Sequence, residues 1–119
     1  MEKNSKYIYC PIRDIITRLS DKWSLLVIIT LSQSDKMRFN EIHKEIDDIS
    51  QRMLSVTLRS LEEDGLVNRK VYPEVPPRVE YRLTDLGFSL LNPLSGLIDW
   101  AKDNTQFIHD SREKFKKKS

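Results

Sequence analysis

The sequence lacks the features typical of secreted proteins, membrane proteins and proteins built around a structural metal ion. One cysteine, Cys10, excludes an internal disulfide and a cysteine-rich zinc site. The longest apolar run, Leu25–Ile29, is too short to cross a bilayer, and Met1–Lys6 lacks the apolar segment of a signal peptide. With 119 residues there is room for a single domain, 1–119. We therefore expect a single-domain protein of the cytoplasm.

Net charge is also small, at +2, and it is unevenly placed. The last eight residues, from Arg112, carry +4, so the rest of the chain carries −2. A solvated, frayed tail is the favoured interpretation of that segment. Nucleic-acid binding must therefore be argued from where the cations lie, and not from the total charge.

The first third of the chain predicts two helices. Pro11 suits the first turn of a helix over residues 10–20, because its missing N–H is not needed there. Asp21 is a candidate cap for a second helix, Lys22–Leu31. That segment is apolar nearly all round, so length, and not periodicity, favours helix over strand.

The centre of the chain predicts two short helices joined by a turn. A brief extended segment at Met37–Phe39 leads into a helix over Asn40–Ile46. Ser50 is a good N-cap for the next helix, residues 50–64, and Gly65 suits its left-handed C-cap. This second helix is the candidate recognition helix of a helix-turn-helix.

A β-hairpin is predicted over residues 67–83, where the hydrophobic period changes to two. Three prolines in its loop predict a long, stiff tip. Thr84 then caps a short helix, and Pro93 opens a C-terminal helix over residues 93–110. The order of elements predicts an α+β, mainly α, winged helix-turn-helix.

The placement of polar side chains predicts a DNA-binding surface. At the start of the recognition helix, Gln51 can pair with adenine and Arg52 with guanine or phosphate. The hairpin cations suit phosphates or a narrow minor groove. Ten residues form the predicted interface: Arg38, Ser50, Gln51, Arg52, Ser55, Arg59, Arg69, Lys70, Arg78 and Arg82. Glu74 and Glu80 dilute the positive charge of the hairpin, and the surface requires that Glu62, Glu63 and Asp64 face away from DNA.

Several separated motifs resemble the HxlR family of bacterial transcriptional regulators. They are Cys10-Pro11-Ile12-Arg13, Asp21-Lys22-Trp23-Ser24, Arg38-Phe39-Asn40-Glu41-Ile42, Ile49-Ser50-Gln51-Arg52-Met53-Leu54, Leu58-Arg59-Ser60-Leu61-Glu62, Asp64-Gly65-Leu66-Val67, the run from Val71 to Tyr81, and Leu83-Thr84-Asp85-Leu86-Gly87. They cover roughly Cys10 to Ala101 in one order, which makes a chance match improbable.

The resemblance implies a homodimeric repressor with a MarR-like fold and dimerisation through its terminal helices. Apolar stripes at Ile12–Leu19 and Leu90–Ile108 fit that expectation, although intramolecular packing also explains them. A twofold dimer would place two recognition helices about 34 Å apart, on an inverted-repeat operator.

Cys10 has two interpretations. Some members of the resembled family use a cysteine at this motif to sense oxidants or electrophiles, and a position just before the first helix would favour a reactive thiolate. Alternatively Cys10 is a small residue packed at the dimer seam. Tyr7, Tyr9, Trp23 and Trp100 are likewise either the lining of a pocket for an unidentified small-molecule effector or part of the core.

Rival functions have less support. A winged helix used only for protein contacts has no need of four cations on its hairpin. An enzyme is disfavoured because the sequence has no glycine-rich phosphate loop and no nucleophile with an evident base. His43 and His109 stand apart from other ligands, so neither a metal nor a cofactor is expected.

Overall fold

The computed structural model describes the backbone of residues 2–118 and the side chains of residues 11–118. The chain divides into two compact units, the first ending at Phe88 and the second beginning at Ser89. Its elements are α1 (Glu2–Leu19), α2 (Ser24–Ser32), β1 (Met37–Arg38), α3 (Phe39–Glu45), α4 (Gln51–Glu63), β2 (Val67–Tyr72), β3 (Arg78–Leu83), α5 (Asp85–Ser89) and α6 (Leu91–Lys118).

The first helix is longer than predicted. It begins at Glu2, so Pro11 lies inside α1 and does not start it. Proline is common in a first turn, whereas inside a helix it removes one backbone hydrogen bond and its ring crowds the carbonyl of the preceding turn, so Pro11 lowers the stability of α1. The prediction for α2 is closer, because Asp21 accepts hydrogen bonds from the N–H groups of Trp23 (2.8 Å) and Ser24 (2.7 Å). Asp21 therefore caps the turn that leads into α2, and this segment is a helix and not a strand.

The core of the first unit is built from α2, α3, α4 and the sheet. Val27 and Ile28 of α2 are fully buried, as are Ile42 of α3 and Leu54 of α4. Both α3 and α4 pack against α2, which also contacts β3. This packing leaves the opposite face of α4 in solvent, where the predicted DNA contacts lie.

A three-stranded antiparallel sheet follows α4. Its strand order is β1-β3-β2, with Val67 opposite Leu83 and Tyr72 opposite Arg78 in the β2–β3 hairpin. The hairpin is hereafter called the wing, residues 67–83 with the loop 73–77. Its pairing, and the Thr84 hydroxyl that accepts the N–H of Gly87 (3.1 Å) at the start of α5, agree with the sequence prediction.

The second unit is the long helix α6. Pro93 is its third residue, where the missing N–H costs no intrahelical hydrogen bond. The helix continues past residue 110 to Lys118, so the basic tail that was predicted to fray is helical. Its cations are exposed, as expected for a solvated segment. Among residues 2–118 no helix has the length and apolar character needed to span a membrane.

The fold class predicted from the sequence is confirmed. Helices dominate, one small sheet projects the wing, and α3, a turn and α4 form the helix-turn-helix. The two elements with the predicted DNA contacts, α4 and the wing, belong to the same compact unit.

Candidate nucleic-acid interface

The N-terminal end of α4 is fixed by local hydrogen bonds. The Ser50 hydroxyl accepts the backbone N–H of Met53 at 3.0 Å, which satisfies one of the free donors of the first turn. Asp48 takes a left-handed conformation (φ 73°) in the preceding turn, which a short polar side chain tolerates. The end of the helix is therefore held open to solvent with Gln51 and Arg52 exposed.

A second contact stabilises the turn between α3 and α4. The Nε2 atom of His43 lies 2.8 Å from the carbonyl oxygen of Ile49, and the His43 ring stacks with Phe39 at 6.4 Å between centroids. His43 is half-buried and bridges the turn. Its partner is six residues away, on the far side of the turn, so the period of α3 alone gave no sign of this contact.

An open groove separates α4 from the wing. It has a volume of ≈ 350 Å³, and its walls are formed by Ser55, Arg59, Glu62, Arg69 and Tyr81. Arg69 and Tyr81 are directly opposite each other in the β2–β3 register, so they share one face of the wing. The groove brings cations from two elements together, and with them one carboxylate, that of Glu62.

The four cations of the wing lie on two faces. Because alternate residues of a strand point to opposite sides, Lys70 and Arg82 lie on the face away from Arg69. Arg78 shares that second face with them. Arg38 joins it through β1, where it is paired with Glu80. The sequence indicated one basic element, whereas the structure places its cations on two opposite faces, with Arg69 alone on the first.

Glu80 is buried at the centre of the second face. Its side chain is 7% exposed and lies 3.6 Å from both Lys36 Nζ and Arg78 Nε. Burial raises the pKa of the Glu80 carboxyl. A hydrogen bond from Tyr72 and the charges of Lys36 and Arg78 lower the pKa by more than burial raises it, so the net shift is downward. Glu80 therefore dilutes the positive charge of the hairpin, as the sequence indicated, and it does so from a buried position. It neutralises cations inside the wing.

Arg78 has internal partners on three sides. Its Nη1 lies 3.2 Å from Glu74 Oε1, its Nε 3.6 Å from Glu80, and its guanidinium carbon 3.9 Å from the centre of the Tyr72 ring. Lys70 also approaches that ring, at 5.0 Å. These contacts hold both strands of the wing together beside its loop. The remaining wing cations, Arg69 and Arg82, are exposed.

Glu62, Glu63 and Asp64, at the C-terminal end of α4, differ in their contacts. Arg18 of α1 pairs with Asp64 (Nε to Oδ2, 2.8 Å) and approaches Glu63 at 3.6 Å. Asp64 raises the pKa of Arg18 by hydrogen bonding and by its charge, and Glu63 adds to the shift. Glu62, in contrast, lines the groove, so the requirement that all three acids face away from the interface is not met.

The remaining predicted functional residues are only partly described. The side chains of Cys10, Tyr7 and Tyr9 lie outside the described residues. Trp23 is half-buried beside Lys22, whose Nζ lies 4.7 Å from its ring centre. Trp100 is 57% exposed on α6. Among the described residues, no group of three or more His, Cys, Asp or Glu could hold a metal ion.

A capped recognition helix beside a projecting basic wing defines a winged helix-turn-helix transcriptional regulator. Residues 18–109 match the model of the HxlR-like helix-turn-helix family. This chain belongs to that family, as the motifs in its sequence indicated. The predicted resemblance is therefore confirmed.

Known proteins support the same assignment. An HTH-type transcriptional regulator of Methanothermobacter thermautotrophicus is 47% identical over 105 residues, which is 88% of this chain and 79% of that protein. The redox regulator HypR in its reduced form is similar in structure, with a TM-score of 0.77, 35% identity, and 84% and 98% of the two chains covered. A protein of Enterococcus faecalis V583 assigned to the MarR family has a TM-score of 0.70 and 38% identity, covering 82% and 88%. The fold is thus MarR-like.

Proposed function

We propose that this regulator is a sequence-specific repressor that acts in the cytoplasm as a homodimer on an inverted-repeat operator. The observation that carries the proposal is the exposed start of α4, where Ser50 fixes the helix end and Gln51 and Arg52 face solvent. An α-helix fits the major groove, and the N-terminal residues of a recognition helix reach the base edges. Repression is the direction that the family resemblance implies.

The proposed contacts follow from the geometry of the two elements. Gln51 and Arg52 read bases, while Ser50 and Ser55 bond the sugar-phosphate backbone. Arg59 and Arg69 bind phosphate from the two walls of the groove. On the second face of the wing, Arg38, Lys70 and Arg82 bind phosphate. Arg78 acts on DNA through the shape of the wing, because its guanidinium is held by Glu74, Glu80 and Tyr72.

Selection from a random-sequence duplex library, followed by gel-shift titration over a salt series, tests this proposal. We expect wild type to enrich an inverted repeat, and Arg52→Ala to weaken binding of the enriched duplex about tenfold or more. Lys117→Ala, which removes a cation from the basic tail, is the matched control and should bind normally. Equal retention of enriched and random DNA would refute the repressor and leave the winged helix as a protein-interaction module.

The dimer is proposed from apolar surface on the terminal helices. On α1, Ile12, Ile15 and Ile16 are 42%, 56% and 56% exposed, and they recur on one helical face. On α6, Trp100 and Phe107 are 57% and 76% exposed. Exposed apolar residues that recur on one face of a helix mark an interaction surface. A second copy of the chain, related by a twofold axis, is the proposed occupant.

Sedimentation equilibrium tests the dimer. Ile15→Glu places a charge in the centre of the apolar face and should give a monomer that loses the inverted-repeat preference. Lys44→Gln lowers the charge by the same one unit at an exposed position of α3, outside the terminal helices, and should stay dimeric. A wild-type monomer at concentrations that saturate the operator would contradict the proposal.

Redox sensing by Cys10 is a second candidate function, favoured by the similarity to the redox regulator HypR. Its physical basis differs from the sequence expectation, since Cys10 lies within α1 and not before a helix start, so free helical N–H groups do not explain a reactive thiolate. With one cysteine per chain, oxidation by diamide would join two subunits or capture a small thiol, while diamide takes up the two hydrogens. If the Cys10→Ser variant loses operator binding under diamide to the same extent as wild type, redox sensing by Cys10 is refuted.

A further inference from the structure

We propose that Arg18 is a positioning residue for DNA recognition, which clamps the C-terminal end of α4 to α1 and so sets the direction of the recognition helix. The inference rests on the proposed function above and adds a residue that no motif of the sequence singled out. Arg18 lies in the last turn of α1, 46 residues before its partner Asp64.

The clamp is made by several hydrogen bonds from one side chain. Arg18 Nε donates to Asp64 Oδ2 at 2.8 Å, and Nη2 donates to Ser60 Oγ at 2.9 Å and to the Ser60 carbonyl oxygen at 3.4 Å. Nη2 is also 3.6 Å from Glu63 Oε2. A planar guanidinium presents its donors in a fixed fork, so acceptors on one helical turn fix its direction as well as its distance.

The clamp lies at the end of α4 opposite the base contacts, so a small tilt at the clamp displaces the residues that contact bases. From Asp64 to Arg52 the helix is about 18 Å long at 1.5 Å per residue. A tilt of about 5° at the clamped end therefore moves the other end by about 1.5 Å. Hydrogen bonds to base edges tolerate only a few tenths of an ångström, so that displacement would disrupt recognition by Gln51 and Arg52.

Charge alone offers a different explanation, and it predicts a different result. Arg18→Gln removes a positive charge and Asp64→Asn removes a negative one. If both residues acted on DNA through their charge, the first change would weaken binding and the second would strengthen it. If they position α4, both changes weaken specific binding, and the double variant is no worse than either single one.

The experiment compares wild type, Arg18→Gln, Asp64→Asn and the double variant by fluorescence anisotropy. The probes are the duplex that wild type enriches from a random library and a shuffled duplex of equal composition, over a salt series. We expect each single variant to bind the enriched duplex on the order of tenfold more weakly, with the salt slope unchanged because neither residue touches phosphate. Affinity for the shuffled duplex should change by less than about twofold.

Two further variants separate positioning from a general loss of structure. Arg13→Gln removes the same charge from an exposed position of α1 and should bind as wild type does. Arg18→Lys keeps the charge without the fork and should give an intermediate affinity. In the free protein, hydrogen exchange at the amides of residues 64–66 should quicken in Arg18→Gln.

Each contrary outcome has a separate meaning. If wild type discriminates the two duplexes and Arg18→Gln discriminates them equally well, the clamp has no positioning role and the inference alone fails. Strengthened binding by Asp64→Asn would also overturn it, in favour of a charge effect. If wild type enriches no sequence, the proposed function fails and the inference falls with it.

Discussion

Arg78 and Glu80 lie two residues apart on one face of β3, with 3.6 Å between Nε of the arginine and Oε2 of the glutamate. Glu80 is buried there, and Lys36 approaches its other oxygen at 3.6 Å. A carboxylate in such a place is kept charged by its partners, because an unpaired buried charge is costly. The pair makes the second face of the wing an ionic cluster. It thereby divides the wing cations into those that hold the structure and those that are free for DNA.

Glu80→Gln tests the ionic cluster through the pH dependence of stability. The pKa of Glu80 is lowered in the folded chain, so its ionised form stabilises the fold above the ordinary value of 4.5, and this stabilisation is lost as the pH falls below it. We expect the variant to have a lower Tm than wild type at pH 7, with the difference narrowing below pH 4.5. Glu45→Gln, an exposed change on α3, should show little difference at either pH. A Tm difference that is constant from pH 7 to pH 3 would contradict the role of the Glu80 charge.

Two wing arginines should respond differently to truncation. Arg82→Ala removes an exposed cation and should lower the salt slope of DNA binding by about 1. Arg78→Ala removes a cation already paired within the wing, and should lower Tm while leaving the slope nearly unchanged. Gel-shift titration at four or more salt concentrations measures both slopes. Equal losses of slope would show that Arg78 also reaches phosphate.

Glu62 restrains DNA binding in this account, since its carboxylate shares the groove with Arg59 and Arg69. Glu62→Gln should strengthen binding to a shuffled duplex by about threefold, because the anionic backbone then meets less repulsion. Asp35→Asn makes the same change of charge in the turn before β1, outside the groove lining, and should have less effect. Weaker binding of Glu62→Gln to the enriched duplex alone would mean instead that Glu62 contacts a base, and weaker binding to both duplexes would contradict the restraint.

Glycine-to-alanine changes test the packing around the wing. A Cβ at Gly87 would collide with the carbonyl oxygen of Leu66 and lie 3.1 Å from Leu83 Cδ2, so Gly87→Ala should lower the free energy of unfolding by about 1–3 kcal/mol. Gly65→Ala should lower the free energy of unfolding by about 1–2 kcal/mol, because φ is +78° there.

Gly96, inside α6, is the contrasting case. A Cβ at Gly96 meets no atom within 4 Å, so Gly96→Ala should raise the free energy of unfolding by about 0.5–1 kcal/mol. Urea denaturation measures all three, and a neutral Gly87→Ala would contradict the described contact.

Local signals in the sequence predicted much of the fold. Ser50, Gly65 and Thr84 each act within a few residues of themselves, so their capping roles could be inferred from spacing alone. Pro11 shows the weakness of such signals, since the same residue suits a helix start and is also tolerated inside α1.

The features that were missed depend on tertiary contacts. Arg18 and Asp64 are 46 residues apart, and no period or cap relates them. Glu80 alternates correctly as a strand residue, but its burial depends on Lys36, which precedes β1. The β2–β3 register decides which cations share a face of the wing. The long proline loop left that register undetermined in the sequence.

The ratio of affinities for the enriched and the shuffled duplex shows whether α4 reads base sequence. Measured by fluorescence anisotropy at physiological salt, wild type should prefer the enriched duplex by about a thousandfold or more. The double variant Gln51→Ala with Arg52→Ala should retain most of its affinity for the shuffled duplex but lose nearly all of the preference. A wild-type ratio near one, or a large ratio that survives the double substitution, would contradict the account of α4 as the recognition helix.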